Sequence, residues 1–136
     1  MGIDIQNCTN AVKEHFPGLA SEGSFCWEPA EDVLPDMPSD SVDLIYSMVA
    51  LTHIPPTQAE IVTRAMARIA RQSIITIEDE YRGWPYHTGD WALRFFPRKY
   101  KDIFESLGFQ QMIYYEGYEI DRDIDRWFTT RVFTRR

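Results

Sequence analysis

The residues Val42 to Leu51 read VDLIYSMVAL, and this nearly continuous apolar run constrains the fold more than any other feature of the chain. It mixes β-branched and aromatic members and falls far short of the roughly 20 residues a membrane-spanning helix needs. A run of this kind reads as a strand covered on both faces, the situation of strands in parallel sheets. The next segment supports that reading. In PPTQAEIVTRAMARIA, Thr57 and Glu60 have the spacing of a capping box, and Ile61, Val62, Ala65 and Ile69 form an apolar stripe opposite Arg64, Arg68 and Arg71. SIITI, Ser73 to Ile77, is then a second apolar strand. Strand, helix and strand in succession predict a parallel pair joined by a helical crossover.

The remaining segments extend the same alternation. GIDI at the start is a strand, and Asn10 to Phe16 is a short helix capped by Thr9 or Asn10 and stopped by Pro17-Gly18. SFCW (Ser24 to Trp27) is a short strand, and EPAEDVLPDMPSDS is a loop rich in Pro and acids. Beyond the acidic triplet Glu78-Asp79-Glu80 lies an aromatic connection, after which Pro97 opens a helix. Tyr100, Ile103, Phe104 and Leu107 repeat at helical spacing in it, and Gly108 closes it. FQQMIYYEGYEI and RWFTTRVFTRR finish the chain as an antiparallel pair. The expected fold is a single α/β domain over residues 1–136 with a mostly parallel sheet.

Charge and cysteine content exclude several functions. Fourteen Lys and Arg against 21 Asp and Glu leave a net charge of −7, a poor balance for gripping a phosphate backbone, so nucleic acid is not an expected partner. Arg131, Arg135 and Arg136 near the chain end read as a solvated strand edge. Cys8 and Cys26 stand among no other metal-type ligands at useful spacing, and no metal site is expected. The start shows no basic-then-apolar leader and no apolar stretch is long enough to cross a membrane, so a cytoplasmic setting is expected.

In open α/β sheets ligands bind beyond the carboxyl ends of the strands, which directs attention to the residues there. Asp4 ends the first strand; its carboxylate offers two acceptors spaced for the vicinal hydroxyls of a ribose, and a plain turn-forming role fits equally well. Glu28, Ala30, Glu31 and Asp32 come after the second strand, where a backbone N–H beside a carboxylate can read an adenine edge and a hydrated acidic loop is the simpler account. Ser47 is placed to meet a ligand, while His53 reads as a loop anchor.

These sites, in this order, resemble the class I S-adenosylmethionine-dependent methyltransferases that act on small molecules. The resemblance rests on GIDI at 2–5, AEDVLP at 30–35 and DSVDLIYSMVALTHIPP at 40–56, and the order of the later helices and paired strands matches the same family. It implies an incomplete Rossmann-like methyltransferase sheet, mostly parallel with an antiparallel C-terminal strand pair and helices on both faces. It also implies that Asp4 takes the ribose hydroxyls of S-adenosylmethionine, with Ile5 also in the cofactor site, Ala30 and Glu31 (or Glu28) the adenine, and Ser47 the methionine part. The acceptor pocket would then involve Glu78, Asp79, Trp84, Tyr86, His87 and Trp91, with Glu78, Asp79 or His87 able to take a proton. A surface flap packed on its own rings is an equal reading of those aromatics.

In that family a strand and a glycine-rich turn precede the segment matching GIDI, and no G-x-G occurs in the sequence. The expectation is therefore a truncated domain in which the strands holding Asp4 and Tyr46 either close on each other or receive another chain between them. Isolated, such a chain is expected to bind S-adenosylmethionine weakly or not at all and to be catalytically impaired. The alternatives are a catalytically silent homodimer derived from the fold, or one part of a split methyltransferase completed by another polypeptide.

Overall fold

The computed structural model of the chain describes residues 1–80, 96–121 and 124–136. Two β-sheets are present among them. A two-stranded parallel sheet joins β1 (Gly2–Ile3) to β2 (Phe25–Cys26), and a four-stranded sheet has the order β3-β4-β6-β5. Its members are β3 (Val42–Met48), β4 (Ala70–Glu78), β5 (Phe109–Asp121) and β6 (Ile124–Arg135). β3 and β4 are parallel, β4 and β6 antiparallel, and β5 and β6 antiparallel, so β6 alone runs against the rest of its sheet. The α/β architecture and the antiparallel C-terminal pair are as the sequence implies.

Among the described residues five α-helices connect these strands: α1 (Thr9–His15), α2 (Pro17–Glu22), α3 (Ala30–Val33), α4 (Pro56–Ile69) and α5 (Tyr100–Ser106). Three details differ from the sequence reading. α1 stops before Pro17 as expected, and Pro17 also starts α2, because a missing N–H and a fixed φ suit the first helical position as well as a stop, whereas α5 starts at Tyr100 and not at Pro97. The expected acidic loop contains α3 and a 3-10 turn over Leu34–Asp36. The capping box does not form: Pro55 precedes α4, Thr57 bonds Gln58, and Glu60 pairs with Arg64 at 2.9 Å instead.

α4 and α5 supply the core. Val62, Ala65, Met66 and Ile69 of α4 and Tyr100 and Phe104 of α5 lie against Ile74, Phe109 and Phe133 of the sheet, with Phe104 and Phe133 ring centroids 5.1 Å apart. Gly108 ends α5 at φ +90°, a conformation that only glycine adopts without strain. Along β3 and β4, Ile74, Thr76 and Glu78 point toward these helices; Leu44, Tyr46 and Met48 point to the opposite face and are about half exposed. Ile113 and Tyr115 of β5 continue that open apolar face. The expectation that β3 is covered on both faces is thereby corrected: one of its faces, and its edge away from β4, have no covering element among the described residues.

Candidate functional site

The chain bends sharply where β3 ends. Val49 has φ +51°, an outlier for a β-branched residue, and its N–H is held by the Ile77 carbonyl at 2.8 Å. The next three residues turn their backbone N–H groups onto one carboxylate, that of Glu78 at the end of β4. Ala50 and Leu51 donate to Oε1 at 3.2 and 3.1 Å, and Thr52 donates to Oε2 at 3.1 Å. The Ser47 hydroxyl donates to Oε1 at 2.7 Å. Glu78 is fully buried, and burial pushes its carboxyl above the usual range although Ser47 and the three backbone donors work the other way. The carboxylate therefore pins a strained loop to the neighbouring strand.

Two arginines brace the same end of the sheet. Arg98 donates to the carbonyls of Leu51, at 2.6 Å, and Ile54, tying the 3-10 turn Leu51–His53 to the segment that leads into α5. Arg131 of β6 forms a two-pronged pair with Glu80, 2.5 and 2.6 Å, and donates to Gln111; both members of the pair are nearly buried. Burial works to lower the Arg131 pKa, but the bond and charge of Glu80, with Tyr114 and Glu116 beside them, carry it above its ordinary value. Tyr100, between Glu78 and Arg98, has its phenol pushed far up by burial and then by the Glu78 charge. Arg131 is thus a buried structural cation and not the solvated edge residue its terminal position suggests; its partner lies 51 residues away and leaves no local signal.

A further opening lies elsewhere, between β1 and β3. A groove of about 610 Å³ runs there, floored by Val62, Met66 and Ile69 of α4 and reached by Asp4, Ala30 and Ser47. Three of the five expected cofactor residues thus converge on one space. Asp4 is exposed, with Oδ1 accepting the Gln6 N–H at 2.8 Å in a turn of the kind its position also allowed. Ala30 opens α3 at the groove wall. Ser47 borders the groove but its proton is committed to Glu78, so it can only accept there. Ile5 is 71% exposed and Glu31 sits half-buried in the first turn of α3; neither lines the groove.

The expected acceptor pocket fares differently. Glu78 faces the core with both oxygens engaged, so it is neither a pocket wall nor a base in this arrangement. Asp79 comes next, half-buried. Trp84, Tyr86, His87 and Trp91 lie outside the described residues. β1 and β3 do not close on each other: among the described residues each pairs on one side only, and the groove separates them.

No family model matches the sequence, nor does any curated protein. Solved structures do match. The magnesium protoporphyrin IX methyltransferase of Synechocystis PCC 6803, determined with bound S-adenosylmethionine, superimposes on 99% of this chain with a TM-score of 0.69 at 13% identity. An S-adenosylmethionine-dependent methyltransferase from Methanosarcina mazei covers 98% with a TM-score of 0.68 at 12% identity, and the [4+2]-cyclase SpnF covers 98% with 0.71 at 12%. The chain spans 58%, 80% and 64% of those proteins. It has the class I methyltransferase fold, and the cyclase among its neighbours shows that this fold does not by itself dictate methyl transfer. Among the described residues no helix is long and apolar enough to cross a membrane.

Proposed function

We propose that this chain is the cofactor-side portion of a small-molecule methyltransferase, and that by itself it holds S-adenosylmethionine weakly or not at all. The convergence of Asp4, Ala30 and Ser47 on one groove carries the reading. The donor set fits the nucleoside end of the cofactor. Asp4 lines the groove at a strand end, where a carboxylate can accept from a diol, and the backbone around Ala30 offers the polar edge an adenine needs. At the amino-acid end Ser47 can accept from the ammonium but cannot donate to the carboxylate, because its hydroxyl already donates to Glu78.

S-adenosylmethionine, when bound, supplies an electrophilic methyl group. The contribution of this chain would be orientation: Asp4 fixing the ribose, the groove wall excluding water, and the pinned loop at Ala50 to Thr52 keeping the end of β3 in place. No described residue is assigned as a base, since Glu78 is bound up in that loop. A groove with an open edge on both walls binds at a disadvantage, for every wall it lacks must be replaced by ordering the ligand.

Calorimetric titration with S-adenosylmethionine and its demethylated product tests the proposal. The expected result is no measurable heat at high micromolar concentration. Low-micromolar binding lost in Asp4→Ala would refute the weakness but keep the site; low-micromolar binding indifferent to Asp4→Ala would refute the site. The silent homodimer has one observation in its favour, the open apolar face of Leu44, Tyr46 and Met48. A concentration-independent monomer in sedimentation would remove it.

A further inference from the structure

A second groove, of about 280 Å³, lies between α4 and α5 and shares no residue with the one beside β3. Its volume falls just under the roughly 300–1,000 Å³ of drug-sized pockets, so its occupant must be small. The bed is apolar, formed by Ala59 of α4 with Ile103 and Leu107 of α5. Charges of both signs border it. Glu60 and Arg64 stand one helical turn apart on α4 and pair through the Arg64 Nε at 2.9 Å, which leaves the second Glu60 oxygen and both terminal nitrogens of Arg64 without a partner among the described residues. Those two nitrogens form the fork that matches a carboxylate. Arg98 adds positive charge, although it already donates to the Leu51 and Ile54 carbonyls. Two hydroxyls narrow the choice further. Thr63, only 4% exposed, donates to the Ala59 carbonyl at 2.8 Å, and Ser106 donates to the Ile103 carbonyl at 2.7 Å. With their protons spent, both offer the groove lone pairs alone, and with Glu60 they call for an N–H donor on the ligand.

We propose that this groove binds a free apolar α-amino acid of about the size of leucine, as its zwitterion. The carboxylate sits on the Arg64 fork, the ammonium faces Glu60 and the hydroxyl oxygens of Thr63 and Ser106, and the side chain lies on Ile103 and Leu107. Charge complementarity selects this class. A simple carboxylate meets Glu60, and a simple amine meets Arg64 and Arg98; a ligand with both charges close together escapes either like-charge penalty. A protein terminus carries only one of the two charges and meets the same objection. An i, i+4 ion pair is by itself an ordinary surface feature. Here it borders an apolar bed and a buried hydroxyl oxygen, and it holds the guanidinium in place before a ligand arrives, so less side-chain freedom is lost on binding. The proposal does not depend on the cofactor reading.

Amide chemical shifts of the chain, followed while leucine is added, test it; isoamylamine and isocaproate are the comparison probes, each lacking one of leucine's two charges. Saturable shifts with leucine in both 59–64 and 103–107, with each single-charge probe at least tenfold weaker, support the site. An equal response to isocaproate or to isoamylamine overturns it, because one charged partner is then idle. A leucine response that fails to saturate at high millimolar concentration, or that lies elsewhere on the chain, overturns it as well. Glu60→Gln and Arg64→Gln change exposed side chains, so the fold should persist, which urea denaturation checks. Each should weaken leucine at least tenfold, and Arg64→Gln should also bring leucine down to the level of isoamylamine. Arg71→Gln removes an ion pair outside the groove and should leave the titration unchanged. A loss there equal to that of Arg64→Gln marks a general charge effect and overturns the proposal.

Discussion

Glu78→Ala separates the loop at the end of β3 from the strand that holds it, and its cost can be worked from the bonds removed. Four donors lose their acceptor, and those of Ser47, Leu51 and Thr52 belong to buried residues. A buried donor left unpaired costs about 1–3 kcal/mol. Release of Val49 from its left-handed conformation returns about 1–2 kcal/mol, and the removed charge no longer has to be desolvated. The net expectation is a loss of about 3 kcal/mol at pH 7, or roughly 10 °C in Tm for a domain of this size. Urea denaturation followed by tryptophan fluorescence measures it. A change below about 0.5 kcal/mol, the range of ordinary surface substitutions, would refute the claim that this carboxylate holds the loop. The pH dependence gives a second test. Because the folded state raises the Glu78 pKa, folding takes up a proton in the window between the unfolded and folded values. The stability from that proton is complete below the unfolded pKa and is lost as pH rises through the folded one. Glu78→Gln does not titrate, so the variant should gain on the wild type from pH 4 to pH 7. A gain in the other direction would mean that the four hydrogen bonds, and not burial, govern the group.

Arg131→Leu should destabilise by about 3–5 kcal/mol in the same assay, since it strands the nearly buried Glu80 carboxylate; adding Glu80→Leu should restore much of the loss. Gly108→Ala should cost about 1 kcal/mol, purely from backbone strain, because nothing lies within 4 Å of the added methyl group. Tyr46→Lys on the open face should leave the unfolding free energy within about 0.5 kcal/mol of the wild type and reduce light scattering of concentrated samples.

The parts of this fold that could be read from sequence are those set by short-range periodicity. The apolar stripe of α4, the i, i+3, i+4, i+7 repeat of α5 with Gly108 behind it, and the long paired strands β5 and β6 each encode their own structure within a dozen residues. What could not be read depends on distant partners. Glu78 and Asp79 are equivalent in sequence, yet Glu78 is fully buried and Asp79 half-buried; only the position of the Ala50–Thr52 amides decides that the Glu78 carboxylate becomes a fastener. Arg131 and Arg136 look alike until β6 is set against the end of β4. The run Val42–Met48 shows the limit most clearly. Its composition states that both faces and both edges suit burial, but not what buries them, so the same residues read as a covered central strand and stand with Leu44, Tyr46 and Met48 half exposed.

That mismatch between a strand built for burial and a strand left open bears directly on the proposed cofactor site. Asp4 hangs on the small β1–β2 sheet and Ser47 on the large sheet, so the positions of the expected nucleoside contacts relative to each other are set across the groove and not through a shared ladder. Any element that bridges the groove with backbone hydrogen bonds to both edges fixes that distance, and a ligand spanning Asp4 and Ser47 then binds without having to order the walls itself. Linkage makes the effect reciprocal: an element that raises the affinity for the cofactor by some factor must itself be held more tightly, by the same factor, when the cofactor is present. The weak cofactor binding proposed for the chain alone would follow from the separation of β1 from β3 that also leaves the groove open.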